Sequence, residues 1–202
     1  AYIQLKSLLT VREIKKVVIW DQSPLDADNY VRHLVEDHHL DVEIATSVEE
    51  AVSQADILII ATSSQQPVVK ANWLKPGVHI TAASDNRAAK QTLDPGVFQR
   101  AEVIIADDLE QSLTQGEIGR ALAQNLINRT DIAGELSRLI IGKISGRTRP
   151  DQITVADLNG LDSQDTVLAT LAMEKALFFG LGQRIEMGLG HKGLSARVES
   201  LL

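Results

Sequence analysis

Val17-Val18-Ile19-Trp20-Asp21 is a run of apolar, mostly β-branched residues that closes on a carboxylate, and it follows a helical stretch. The run predicts a strand. An acid at its end is the pattern of the second strand of a dinucleotide-binding βαβ unit, where the carboxylate accepts hydrogen bonds from the adenine ribose hydroxyls. In that unit a glycine-rich turn stands roughly 20 residues before the acid. No such turn precedes Asp21; the numbering opens at Ala1, where it would finish. The expectation is a nucleotide-binding enzyme without its opening strand and phosphate loop. Gln22 follows the acid with no neighbouring Arg, so a 2′-phosphate would meet repulsion and no cation, which favours NAD over NADP. The plainer alternative is a turn acid ahead of Ser23-Pro24.

Further short apolar runs follow: Ile57-Leu58-Ile59-Ile60, Val78-His79-Ile80-Thr81, Val103-Ile104-Ile105-Ala106 and Ile153-Thr154-Val155-Ala156, with Glu43-Ile44-Ala45 as a weaker edge candidate. Continuous apolar strands fit a parallel sheet covered on both faces. Helical signals lie between them. Ser23-Pro24 is an N-cap followed by proline at the first helical position, with an apolar face of Ala27, Tyr30, Val31, Leu34 and Val35 behind it. Ser47 precedes Glu50 by three, as in a capping box. Asp107-Asp108 reads as a helix start, and Gln115-Gly116-Glu117-Ile118 as a turn or pocket loop. Asp162 or Ser163 caps the longest helix, which Gly180 and Gly182 stop; Gly188 to Leu202 reads as a loose tail with a short helix. Alternation of strand and helix with short loops means a doubly wound α/β domain.

The composition, 44% hydrophobic and 23% charged, is ordinary for a globular domain, and 202 residues suffice for one sizeable core, or one domain plus an appendage. A net charge of -7 with interspersed signs argues against nucleic acid or an anionic membrane as partner. There is no cysteine, which excludes disulfides, thiolate metal sites and a cysteine nucleophile. No secretory signal or long apolar run is present, so the cytoplasm is expected. The histidines show no ligand spacing and no metal is expected. His38-His39 fits helix-end capping, and His79, inside an apolar strand, fits a structural role.

In a doubly wound sheet the ligand sits at the carboxyl ends of the strands. Besides Asp21 and Gln22, that rule selects Ala61, Thr62 and Ser63 after one strand and Thr81, Ala82 and Ala83 after the next. It also selects Asp157, Leu158 and Gly160 after the last. Small residues admit a cofactor to the backbone, and hydroxyls reach ribose. Ser84-Asp85-Asn86 offers Asp85 and Asn86 for proton transfer or substrate orientation. A turn accounts for the same triplet.

Trp73-Leu74-Lys75-Pro76-Gly77-Val78-His79-Ile80-Thr81-Ala82 resembles the W-x-x-P-G-x-H-I-N-A segment of the ornithine cyclodeaminase/mu-crystallin family. Asp107-Asp108-Leu109-Glu110-Gln111 with Gly116-Glu117-Ile118 is similar to the segment that follows, and Gly134-Glu135-Leu136 through Gly146-Arg147 to a G-E-L…G-R stretch. Ile153 to Gly160 with Gln164-Asp165-Thr166 resembles its I-T-x-x-D-x-x-G…Q-D signature. The resemblance runs to about Met187. It implies NAD(P) on a Rossmann domain whose glycine loop would end at Ala1. It further implies a preceding part that binds the substrate carboxylate and forms most of a dimer interface. The implied chemistry is hydride transfer at Cα of a small amino or imino acid, by cyclodeaminase, imine reductase or alanine dehydrogenase. The family commonly continues x-G-x-D-x-x-x-K; here Lys90 matches the Lys, Ser84 replaces the Gly and Asn86 the Asp. An amide cannot be a general base; Asp85 can substitute if the loop shifts by one residue, and since some imine-reducing relatives also lack the Asp, the departure favours imine reductase or dehydrogenase over cyclodeaminase.

The sequence reading is therefore an NAD-binding Rossmann-type domain over 1–160, lacking its first strand and glycine loop. Residues 161–202 add a C-terminal helix and tail returning toward a substrate and dimer domain. The protein is expected to be a homodimer or higher homo-oligomer that acts on a small amino or imino acid. A non-catalytic, crystallin-like ligand holder or an inactive truncated homologue is the alternative.

Overall fold

The computed structural model describes residues 1–183 apart from 39, 63, 65 and 84–90. It divides into two compact units, Ala1–Leu161 and Asp162–Leu202.

In the first unit, helix α1 (Tyr2–Leu9) precedes strand β1 (Lys16–Ile19), which pairs in parallel with β2 (Asp41–Ile44). Helix α2 (Pro24–His38) makes the crossover between them, beginning at the expected proline with Ser23 Oγ accepting from the Asp26 N–H. Ala27 and Leu34 are the fully buried members of its apolar face. Ser47 caps α3 (Val48–Gln54) by accepting from the Glu50 N–H. Glu50 reaches back to the N–H and hydroxyl of Thr46, which holds its carboxyl below the usual range.

The second sheet holds β3 (Ile57–Ile60), β4 (His79–Ala83), β5 (Val103–Ala106), β6 (Ile132–Glu135) and β7 (Thr154–Leu158), in the order β3-β4-β7-β5-β6. Every pairing is parallel. The last strand in sequence thus enters the middle, and β5 buries all four residues. Helices α4 (Gly96–Arg100), α5 (Leu109–Thr114), α6 (Gly116–Ala123) and α7 (Leu136–Ile140) complete the unit. Its core joins Ile80 and Val155 of the sheet to Phe98 of α4 and Ile118 of α6.

The sequence pattern did not suggest β6. The strand is four residues long, and Ala133 is an extra residue between the partners of Ile104 and Ile105. Gly134 sits there at φ 142°. Nor is the Gln115-Gly116-Glu117-Ile118 stretch a loop, because Gly116 opens α6. Its φ of 72° lets the chain turn from α5 straight into a new helix.

Among the described residues β1 and β3 each have one unpaired edge. Lys16 to Trp20 and Asp56 to Ile59 line one cavity of about 690 Å³, together with Ala1, Leu5 and Leu8. In the second unit, α8 (Asp162–Phe179) is one continuous helix with apolar residues on all sides. Asp162 is its first residue. Residues 188–202 lie outside the described residues.

Candidate functional site

Because the five strands are parallel, their carboxyl ends share one edge of the sheet. That edge gathers Ala61 and Thr62 after β3, Ala82 and Ala83 of β4, Asp107 after β5, and Asp157 to Gly160 at the end of β7. Ala61 is exposed and Thr62 half-buried, its hydroxyl accepting from the Ser64 N–H (3.2 Å). Thr81 and Ala83 are half-buried, and Ala82 is buried. Leu158 is half-buried and Gly160 exposed, with φ 86°. Ser63, Asp85 and Asn86 lie outside the described residues.

Asp21 and Gln22 follow β1 in the two-stranded sheet, both exposed. One Asp21 oxygen accepts from the Ser23 N–H (2.8 Å), tying the carboxylate to the start of α2. The position therefore serves the turn and still leaves an exposed acid at a strand end.

Asp157 differs from the other strand-end residues. It is fully buried, and Oδ2 accepts from the Ile118 N–H (3.0 Å) in the first turn of α6. Its backbone carbonyl accepts from the Asp107 N–H (3.2 Å). Burial, and then the nearby acids Glu117 and Asp107, push its carboxyl up to about 7, against the pull of the Ile118 bond.

Three polar residues that the strand-end rule passed over hold this region together. Glu117 is 2% exposed. Its Oε1 accepts from the Thr92 N–H and hydroxyl (2.6 Å each), and Oε2 from the Leu93 N–H (3.2 Å). Asp107 accepts from the Asp108 N–H (2.9 Å) and, through Oδ2, from the Gly160 N–H (2.7 Å). Asn159 donates to Ser112 Oγ (3.0 Å) and lies against Gly116, where a Cβ would come within 2.4 Å of its Oδ1. The sequence signal was an acid or amide inside an otherwise apolar segment, which a period count scores as a boundary.

His79 is held within the sheet by hydroxyls. Its ring nitrogens meet Thr154 Oγ1 (2.7 Å) and Thr81 Oγ1 (3.2 Å), while Arg147 also donates to Thr154 Oγ1 (3.3 Å). Burial, then the Arg147 charge, hold the imidazole below its ordinary range.

The arrangement presents small, partly open backbone at one sheet edge, hydroxyls beside it, and a loop after β7 fixed from beneath. Such an edge suits a flat cofactor and a small polar substrate.

Known proteins share this framework. The chain is 38% identical over 176 residues to an uncharacterized cyclodeaminase of Sinorhizobium fredii, covering 87% of this chain and 53% of that protein. A solved Thermococcus litoralis Δ1-pyrroline-2-carboxylate reductase in complex with NADH and L-proline superposes with a TM-score of 0.84 at 30% identity. The match covers 90% of this chain and 56% of that one. An archaeal alanine dehydrogenase dimer with bound NAD gives 0.82 at 33% identity, covering 92% and 57%. The chain spans about half the length of the curated relatives it matches. Residues 1–178 match the family pattern as a whole, so the chain belongs to the ornithine cyclodeaminase/mu-crystallin family.

Proposed function

We propose that the protein binds NAD on the first unit and moves a hydride at Cα of a small amino or imino acid, as a cyclodeaminase or imino-acid reductase. The observation that supports this most is the parallel sheet edge carrying Ala61, Thr62, Thr81, Ala82, Ala83, Leu158 and Gly160. Asp21 provides an exposed acid after β1. In this reading Asp21 accepts from the adenine ribose hydroxyls and Gln22 leaves a 2′-phosphate without a cation. Alanines at 61, 82 and 83 let the dinucleotide approach the backbone, and Thr62, Ser63 and Thr81 offer hydroxyls. NAD bound there would supply the hydride acceptor or donor. Asp85 takes the proton-transferring role and Asn86 orients the substrate.

Residues 161–202 carry the chain toward a substrate and dimer domain, and the working form is a cytoplasmic homodimer or higher homo-oligomer. No helix among the described residues is long and apolar enough to cross a membrane. The test is turnover by the whole protein. NADH should be oxidised with Δ1-pyrroline-2-carboxylate or a linear imino acid, or ammonia released from ornithine in the presence of NAD. Neither reaction at any pH would end the enzymatic reading. The second reading, a crystallin-like protein that holds NAD or a small ligand, is favoured by Asn86, where the family commonly places an acid. Tight NADH binding with neither turnover would select it.

A further inference from the structure

The fully buried carboxyl of Asp157 is not used in the hydride transfer proposed above, yet it stands at the start of the loop that would face the cofactor. It is followed by Leu158, the last residue of β7, and then by Asn159 and Gly160. Across the sheet its register partners are Ala82 of β4 and Ala106 of β5, both buried methyl side chains. Register partners in a parallel sheet point to one face, so the carboxyl is flanked by apolar groups. Above it lies the first turn of α6, whose Ile118 N–H bonds Oδ2. Oδ1 is buried with no backbone donor, and the Asn159 side chain, like the Ile118 N–H, favours the charged form of the carboxyl. The titratable groups that bear on it are acids: Glu117 from α6 and Asp107 from the end of β5. β4 contributes alanine, and α5 contributes the neutral Ser112, which is bonded to Asn159.

We propose that Asp157 is a positioning residue whose neutral carboxyl lets the loop 158–160 stay closed against the first turn of α6, and that losing the proton loosens this loop. Glu117 accepts three hydrogen bonds from Thr92 and Leu93, and Asp107 accepts two, from Asp108 and Gly160, against the one that Asp157 Oδ2 accepts from Ile118. A negative charge on Asp157 would be desolvated and repelled by Glu117 and Asp107. The relief available is water entry at the loop, at the cost of the Asp107–Gly160 bond. Because the loop ends one face of the proposed NAD site, this inference rests on that reading for its functional effect and on geometry alone for its structural effect.

The experiment compares the whole wild-type protein with Asp157→Asn, whose amide imitates the neutral acid and still accepts from Ile118. Two quantities are followed from pH 5 to pH 8.5: the melting temperature and the Kd for NADH. The asparagine variant should gain in melting temperature over the wild type as pH rises from 5 to 7, and the gap should level off above 7. Wild-type Kd should weaken about tenfold between pH 6 and pH 8, as the competent fraction falls, while the variant's stays level. Parallel melting curves for the two proteins would overturn the proposal. If the variant does not fold, amide exchange on the wild type decides. Protection at Gly160, corrected for intrinsic rate, should fall across neutrality, and unchanged protection would overturn it. Absence of NADH binding at every pH would count against the cofactor reading alone, since melting and exchange still test Asp157.

Discussion

Asp21 and Asp157 both stand where a strand gives way to a loop, and the fold gives them opposite surroundings. Asp21 is exposed and, among the described residues, bonded only to the turn that starts α2. Its value to the protein is therefore the charge it offers outward. Asp21→Arg should weaken NAD by about tenfold or more, the worth of one or two charge-assisted hydrogen bonds. It should also improve NADP by supplying a cation for the 2′-phosphate. Titration of nucleotide fluorescence with NADH and NADPH reads both, and an unchanged NADH affinity would remove Asp21 from the site. Asp157 works inward. Its native value of about 7 lies above the ordinary 3.8, so between those limits the native state keeps a proton that the unfolded chain has lost. Its contribution to stability is full below about pH 4 and declines as pH rises through 7, at about 1.4 kcal/mol per pH unit at most. The sign is opposite to that of a paired surface carboxylate such as Glu50, whose value is lowered.

The first turn of α6 is a junction between elements rather than one stop along the chain. Ile118 meets β7 through Asp157, and Glu117 gathers three donors from Thr92 and Leu93, which follow β4 in the chain. Glu117→Ala would leave those donors buried without an acceptor, at about 1–3 kcal/mol each. We expect a loss of at least ~3 kcal/mol, read as a lower urea midpoint; a change below ~1 kcal/mol would mean that water replaces the carboxylate readily. This junction was the part of the molecule least legible in the sequence. Ile57 to Ile60 and Val103 to Ala106 were readable as strands because parallel strands buried on both faces are apolar throughout. Ser47 and Ser23-Pro24 announced their helices through local capping chemistry. Gly116-Glu117, in contrast, looks like a polar turn, because its glycine and acid are explained only by contacts 24 to 43 residues away. β6 was hidden for a similar reason, since its inserted Ala133 breaks the period that marks a strand. Of the site, the small and hydroxyl residues at strand ends were legible from topology alone. The buried acids that fix the loop beneath them were not.

The strand order has a consequence for the behaviour of the whole molecule. β1 and β3 carry the apolar runs Val17 to Ile19 and Ile57 to Ile60, which are built to be covered on both sides. Yet Val17, Val18, Ile19, Ile57, Leu58 and Ile59 are all only half-buried, while every residue of β5 is buried. Both strands turn an unpaired edge toward a cavity of about 690 Å³. Unpaired backbone flanked by aliphatic side chains is a template for another strand. α1 runs from Ala1 at this cavity to the approach of β1, so a parallel strand in the gap would continue into α1 as an ordinary right-handed crossover. Filling the gap would join the two sheets into one and satisfy both edges. Produced as these 202 residues alone, the protein should self-associate with rising concentration in sedimentation velocity. A monodisperse monomer with one sharp melting transition would show that the gap closes by other means.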